Sequence, residues 1–239
     1  MKKALIALCC AAAFATPAYS AEPETEASPW STTLTAGYDS RYLLYGYRLN
    51  RHLLKADAYV AYALDENTTL WGGSWFGIIP DGTYRELDGY VGIDRALGGG
   101  FSVGAAVSAF YYIDAPFTDE DVVYELLTHV SYYHDRFNVS LKDHVDTESD
   151  GHLLRAILTV PLQLTEELGL EASAEYGYAL GYYIDGDKPN HALLKLSAPI
   201  ALNESLYLTP YIARSIVLDA IDEFEEDDTI AGVSLSWTL

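Results

Sequence analysis

From Trp30 to Leu239 the chain alternates apolar and polar residues with a period of two, in short stretches separated by clusters of Gly, Asp, Asn or Pro. Side chains at i and i+2 share one face of a strand, so this pattern predicts β-strands and argues against amphipathic helices. Twelve stretches are expected, at 31–38, 53–64, 69–79, 86–95, 101–113, 122–133, 137–145, 152–162, 168–178, 192–200, 206–215 and 229–239.

Several stretches separate cleanly into two faces. Leu170, Ala172, Ala174, Tyr176 and Tyr178 oppose Glu171, Ser173, Glu175 and Gly177. Leu87, Gly89, Val91 and Ile93 oppose Glu86, Asp88, Tyr90, Gly92 and Asp94. Val122, Tyr124, Leu126, Thr128, Val130 and Tyr132 oppose Glu125, His129 and Ser131, and Leu54, Ala56, Ala58, Val60 and Tyr62 oppose Lys55, Asp57 and Tyr59. The stretch holding Trp71 and Trp75 has no polar side, and its orientation stays open.

The connections fall into two classes. Those at 65–68, 98–100, 134–136, 165–167 and 203–204 are tight, whereas those at 41–50, 80–84, 114–121, 147–151, 184–190 and 216–228 are longer and more acidic. Short turns at one rim, longer loops at the other and both termini on the short-turn side are the layout of an outer-membrane barrel. The expected fold is therefore all-β, a transmembrane antiparallel up-and-down β-barrel of about 12 strands over residues 30–239. Alternation alone would also suit a soluble two-sheet sandwich. Against the sandwich stand tyrosines near strand ends (Tyr38, Tyr62, Tyr132, Tyr133, Tyr178) and the absence of an edge-blocking strand rich in Pro or Lys.

The final strand carries Gly232, Leu235, Trp237 and Leu239, a pattern similar to the C-terminal assembly signal of outer-membrane proteins, with Leu239 where an aromatic residue is usual. It implies the barrel-assembly machinery and outer-membrane lipids as partners.

The first residues change the compartment. Lys2 and Lys3 precede an apolar run over 4–16 and then Pro17-Ala18-Tyr19-Ser20, a secretory leader expected to occupy 1–20 and to be cut after Ser20. A short acidic segment, 21–29, follows. Cys9 and Cys10 both lie in the leader, which leaves the mature chain without a thiolate nucleophile or cysteine metal ligand.

Half the residues are apolar, 21% are charged and the mean hydropathy is +0.03. No mature segment approaches the ~18 consecutive apolar residues a membrane helix needs. The formal net charge is -21, and loss of Lys2 and Lys3 makes it more negative still. Nucleic acid and polybasic attachment to anionic lipid are both excluded by that sign.

Three segments resemble the TorF-type porin family. Gly37-Tyr38-Asp39-Ser40-Arg41-Tyr42-Leu43-Leu44-Tyr45-Gly46 is similar to its Ser-Asp-Tyr-x-x-x-Arg-Gly segment, with Tyr45 in place of the arginine. Glu86-Leu87-Asp88-Gly89-Tyr90-Val91-Gly92 is similar to its Glu-x-Asp-x-Tyr-x-Gly strand, and Tyr124-Glu125-Leu126 to its Tyr-Glu-aliphatic strand. The likeness spans the mature length in layout and only these short segments in motif. It implies an outer-membrane porin and supplies no substrate.

By parity, the inward face carries Lys55, Asp57, Glu86, Asp88, Glu125, His129, Lys142, Arg155, Glu171, Glu175 and Lys195. Such a lumen would pass small hydrophilic solutes or ions and favour cations. Alternatives are a non-conducting structural or adhesion barrel and a lipid-modifying enzyme. The enzyme reading rests on His129-Val130-Ser131, which is similar to the His-x-Ser strand of outer-membrane phospholipase A, but here Tyr132-Tyr133 follow and Ser131 shares the Glu125 face. His52, His134, His144, His152 and His191 lack metal-ligand spacing and are expected at the solvated rim. The acidic run 222–228 lacks the spacing of a calcium loop and reads as a solvated loop. Neither cofactor nor metal nor catalytic residue is expected.

Overall fold

In a closed barrel every stave has two hydrogen-bonded neighbours, and alternate side chains point into the bore or away from it. The computed structural model of this chain describes residues 28–82, 84–113 and 122–239. The expected leader, residues 21–27 of the acidic segment and the expected loop 114–121 lie outside the described residues.

The strands are β1 (Trp30–Leu44), β2 (Tyr47–Ala63), β3 (Thr68–Ile78), β4 (Arg85–Gly98), β5 (Phe101–Ile113), β6 (Val122–His134) and β7 (Phe137–Asp146), followed by β8 (His152–Gln163), β9 (Gly169–Leu180), β10 (Asp187–Ser197), β11 (Ile200–Ala201), β12 (Leu206–Val217) and β13 (Asp228–Thr238). Neighbours in chain order pair antiparallel, except β10 with β11, and β1 pairs with β13 to close the sheet. β10 and β11 are one stave, since both pair with β12 and the break between them falls at Pro199, which has no amide to give the ladder. The thirteen strands thus make twelve staves.

The polarity of the wall is the reverse of a soluble protein's. On β4, Leu87 and Val91 are 45% and 55% exposed on the outer face, while Glu86 and Asp88 are 0% and 9% exposed on the inner one. Leu126 and Val130 of β6 lie outside, with Glu125, His129 and Ser131 buried inside. A two-sheet sandwich would bury the apolar face against its partner sheet, and here that face is exposed among the described residues. Trp71 and Trp75, whose orientation the sequence left open, point inward and pack with Tyr59, Tyr90 and Tyr42. Gly92 makes the room: a Cβ there would sit 2.2 Å from the Trp71 ring.

Aromatic residues gather at the short-turn rim. Trp30 meets Tyr62 at 4.5 Å between ring centroids, Phe101 meets Tyr132 at 4.8 Å, and Tyr132 meets Phe137 at 6.1 Å. Of the C-terminal residues, Leu235, Trp237 and Leu239 face outward, and Gly232 lies inward opposite Asp39 and Tyr211.

The expected connection at 41–50 is corrected by the structure. It is not a loop: β1 and β2 continue through it and meet at a two-residue turn, Tyr45-Gly46. The polar residues Arg48, Asn50 and Arg51 obscure the strand pattern there because this part of the ladder has left the wall.

Candidate functional site: a hairpin across the bore

β1 pairs with β13 only as far as Asp39, and β2 pairs with β3 only from Leu54 onward. Beyond the Asp39–Leu53 pair, residues 41–51 therefore pair with one another and with no wall strand among the described residues. The register passes from Asp39 opposite Leu53 to Arg41 opposite Arg51, and His52 between them has φ 59°. That left-handed residue turns the hairpin out of the plane of the wall.

The tip reaches the opposite side. Tyr45 donates its hydroxyl proton to Glu125 Oε1 on β6 at 3.1 Å, and the Arg155 guanidinium on β8 stacks 5.0 Å from the Tyr45 ring centroid. β6 and β8 are remote from β1 around the ring, so the hairpin spans the bore. The turn has φ 52° at Tyr45 and 90° at Gly46, the two positive values of a type I′ hairpin turn. Gly46 also abuts His191 of β10, where a Cβ would lie 2.9 Å from the imidazole.

Both flanks of the hairpin are packed. Tyr42 and Leu49 lie with Leu53, Trp75, Ile79 and Tyr84, while Tyr45 and Tyr47 lie against Leu153, Tyr182, Ala220 and Ile221. At its base, Arg41 donates to Asp228 Oδ2 at 3.1 Å and Arg48 approaches the same oxygen at 3.6 Å. Asp228 closes the acidic run read as solvated, and its neighbour Asp227 accepts from the Val217 amide at 2.9 Å and Arg214 at 3.0 Å. The end of that run is thus a clasp for the hairpin.

Beneath the hairpin the inward charges form local networks. Tyr42 (2.6 Å) and Tyr84 both donate to Glu86 Oε2, and Tyr90 donates to Asp57 at 2.7 Å. Asp57, Trp75 and Asp88 stand in register on three adjacent strands. Arg155 holds Glu175 by two hydrogen bonds, 2.6 and 2.7 Å, and His191 Nε2 lies 2.9 Å from the same carboxylate. Arg155 also donates to His144 Nε2 at 3.2 Å, which fixes the proton on Nδ1, 2.9 Å from Glu125. Lys55 pairs with Asp39 at 2.5 Å, Tyr211 donates to Asp39 at 2.6 Å, and Lys195 stands 4.6 Å from the Tyr211 centroid. Lys142 lies in register with His129 and Arg155, and Glu171 with Ser197.

Two histidines are corrected. His144 and His191, expected at the solvated rim, are 0% and 2% exposed inside the barrel. His144 shares the parity of Lys142 on β7, and His191 that of Lys195 on β10, a signal present in the sequence; the register shift between Pro189 and His191 affects only the residues before it. Sequence reasoning also missed Asp39 and Tyr45, and it put Asp94 on the polar face of its strand without counting it among the inward charges. His129 Nε2 lies 2.9 Å from Asp94, and Ser131 shares a 2.8 Å hydrogen bond with Ser140. The His129 and Ser131 side chains thus face inward, away from the surface a lipid-modifying site would use. Among the described residues, no group of three or more histidine, cysteine or acidic side chains is placed to hold a metal ion.

Between the hairpin and the β5–β6 wall lies a half-enclosed cleft of ≈ 360 Å³, bordered by Tyr45, Tyr47, Arg48, Tyr112, Glu125, Asp146, Glu148, Tyr182, Tyr183 and Glu225.

No protein-family model matches the chain, and no curated protein matches it. Solved structures do. The KdgM porin superposes with a TM-score of 0.54 at 9% identity, over 87% of this chain and 98% of that one. The COG4313 outer membrane channel from Pseudomonas putida F1 gives 0.56 at 9% identity, over 92% of this chain and 100% of the other. The NanC porin gives 0.55 at 8% identity, over 87% and 100%. At such identities the likeness establishes the shared fold, a closed antiparallel barrel.

Proposed function

We propose that this protein is an outer-membrane porin-like channel of a Gram-negative-type bacterium, passing small hydrophilic solutes or ions by diffusion with a preference for cations. The observation that carries the reading is the inverted polarity of a closed barrel: aliphatic side chains outside, paired carboxylates, lysines and arginine inside. A lipid bilayer makes that arrangement favourable, and water does not. The likeness to barrels described as porins and an outer membrane channel supports it, as do the expected leader and the C-terminal assembly signal. On this reading the three motif segments favour kinship with TorF-type porins.

Cation preference follows from sign. Asp39, Asp57, Glu86, Asp88, Asp94, Glu125, Glu171 and Glu175 outnumber Lys55, Lys142, Arg155 and Lys195 on the inner face. The hairpin narrows the long-loop end, so the route runs beside it, through the cleft against β5 and β6. Its two-sided aromatic packing also favours a second reading, a structural barrel held shut.

One measurement separates them. Refolded protein in planar bilayers is expected to give discrete conductance steps and a cation-selective reversal potential in a salt gradient. A correctly inserted, silent barrel would refute the channel; anion selectivity would refute the charge argument.

A further inference from the structure

The cleft beside the hairpin has a composition that a simple water-filled passage does not need. We propose that it is a binding site for a small organic cation, an ammonium group carried on an apolar or aromatic body. The proposal rests on the channel reading above, whose permeant class it narrows.

The volume, ≈ 360 Å³, lies at the lower end of pockets that hold metabolite-sized ligands. Tyr45, Tyr47, Tyr182 and Tyr183 supply ring faces, and the hairpin and β9–β10 loop hold them against one another: Tyr45 meets Tyr182 at 6.2 Å and Tyr182 meets Tyr183 at 4.9 Å, both edge to face. Rings arranged at angles around a space are a cage that attracts cations through their quadrupoles.

The carboxylates add the sign. Glu125, Asp146, Glu148 and Glu225 border the cleft, with Arg48 as the cation among the bordering side chains. Three of these carboxylates are oriented by a neighbour: Tyr45 donates to Glu125 at 3.1 Å, Tyr183 donates to Glu148 at 2.9 Å, and the amides of Glu148 and Ser149 donate to Asp146 at 3.0 and 2.6 Å. Arg48 is itself drawn toward Asp228, 3.6 Å away. An anion entering here meets like charge, and a neutral polar solute forgoes the attraction of both rings and carboxylates. An organic cation uses both.

The test is ligand-observed NMR on the refolded mature chain in detergent micelles, with empty micelles as the blank. The probes are benzyltrimethylammonium, benzyl alcohol and benzenesulfonate, which share a ring and differ in charge. Expected is saturable binding of the ammonium at about 1 mM, with the other two at least about tenfold weaker. Glu148→Gln combined with Glu225→Gln, and separately Tyr183→Leu, should each weaken the ammonium about three- to tenfold. Equal binding of the neutral and cationic probes, or none of the cation, overturns the proposal on the unaltered protein even where a variant fails to fold. Conductance is recorded on the same preparation. Binding without conductance sinks the channel and keeps the site; conductance without binding does the reverse.

Discussion

The barrel wall and the hairpin of residues 40–53 are built from the same antiparallel ladder yet obey different rules. On the proposed reading the wall separates two solvents, so its side chains alternate: Leu87, Val91 and Ile93 outside, Glu86, Asp88 and Asp94 inside. The hairpin has protein on both flanks, Tyr42 and Leu49 on one packed group, Tyr45 and Tyr47 on another, and it shows no such alternation. Wall sequence is set by what each face touches, hairpin sequence by the shapes it must fit. The ladder forms in either case because the backbone needs its hydrogen bonds.

The comparison breaks most decisively if the hairpin is removed. Replacing residues 41–51 by a single Asn-Gly turn leaves every wall pairing intact, because β1 meets β13 through Asp39 and β2 meets β3 from Leu54. The shortened barrel should still migrate anomalously on electrophoresis until boiled, and its single-channel conductance should rise severalfold. An unchanged conductance would mean that the hairpin does not limit the pore.

The wall is probed next by putting a charge on its outer face. Leu126→Arg, at a mid-strand outward position of β6, is expected to destabilise the inserted barrel by about 2–4 kcal/mol. Urea titration in lipid vesicles measures it. A neutral result would argue that the aliphatic face does not meet hydrocarbon.

These two experiments divide what the sequence made legible from what it hid. The twelve expected stretches correspond in order to the twelve staves, and their faces at β2, β4, β6 and β9 were readable because parity is a local property. The crossing hairpin depends on contacts such as Tyr45 with Glu125, 80 residues apart, and Arg41 with Asp228, 187 apart, which no local pattern encodes. His144 was misplaced for a related reason: strand ends were assigned to the rim, and the inward hairpin buries what would otherwise have been rim. The inward orientation of Trp71 needed Gly92 across the ladder to make it possible, again a non-local fact.

A smaller effect is expected at the turn. Gly46→Val places a β-branched side chain at φ 90° and against His191, so the tip must withdraw from β10. The change should cost about 1–3 kcal/mol of local stability and raise conductance less than removal of the hairpin does. Faster proteolysis within residues 41–51 with an intact wall would show that the loss is confined to the hairpin. Global loss of heat-modifiable migration would show that hairpin and wall fold as one unit.

The smallest effect tests the clasp at the hairpin's base. The Val217 amide, and after it Arg214, hold the exposed Asp227 carboxyl below its usual range, as a hydrogen-bonded and ion-paired carboxylate should be. A carboxyl depressed in the folded state contributes stability above its unfolded value, and that contribution fades as pH falls through the folded one. The window therefore opens below about pH 4. Hydrogen exchange at the Val217 amide should lose protection across that window in the parent protein. In Asp227→Asn the amide oxygen still accepts from Val217 but carries no titrating charge, so protection should be lower at neutral pH and flat with acid. Parallel curves for the two proteins would remove Asp227 from the clasp and leave Asp228, with Arg41 and Arg48, as its working part.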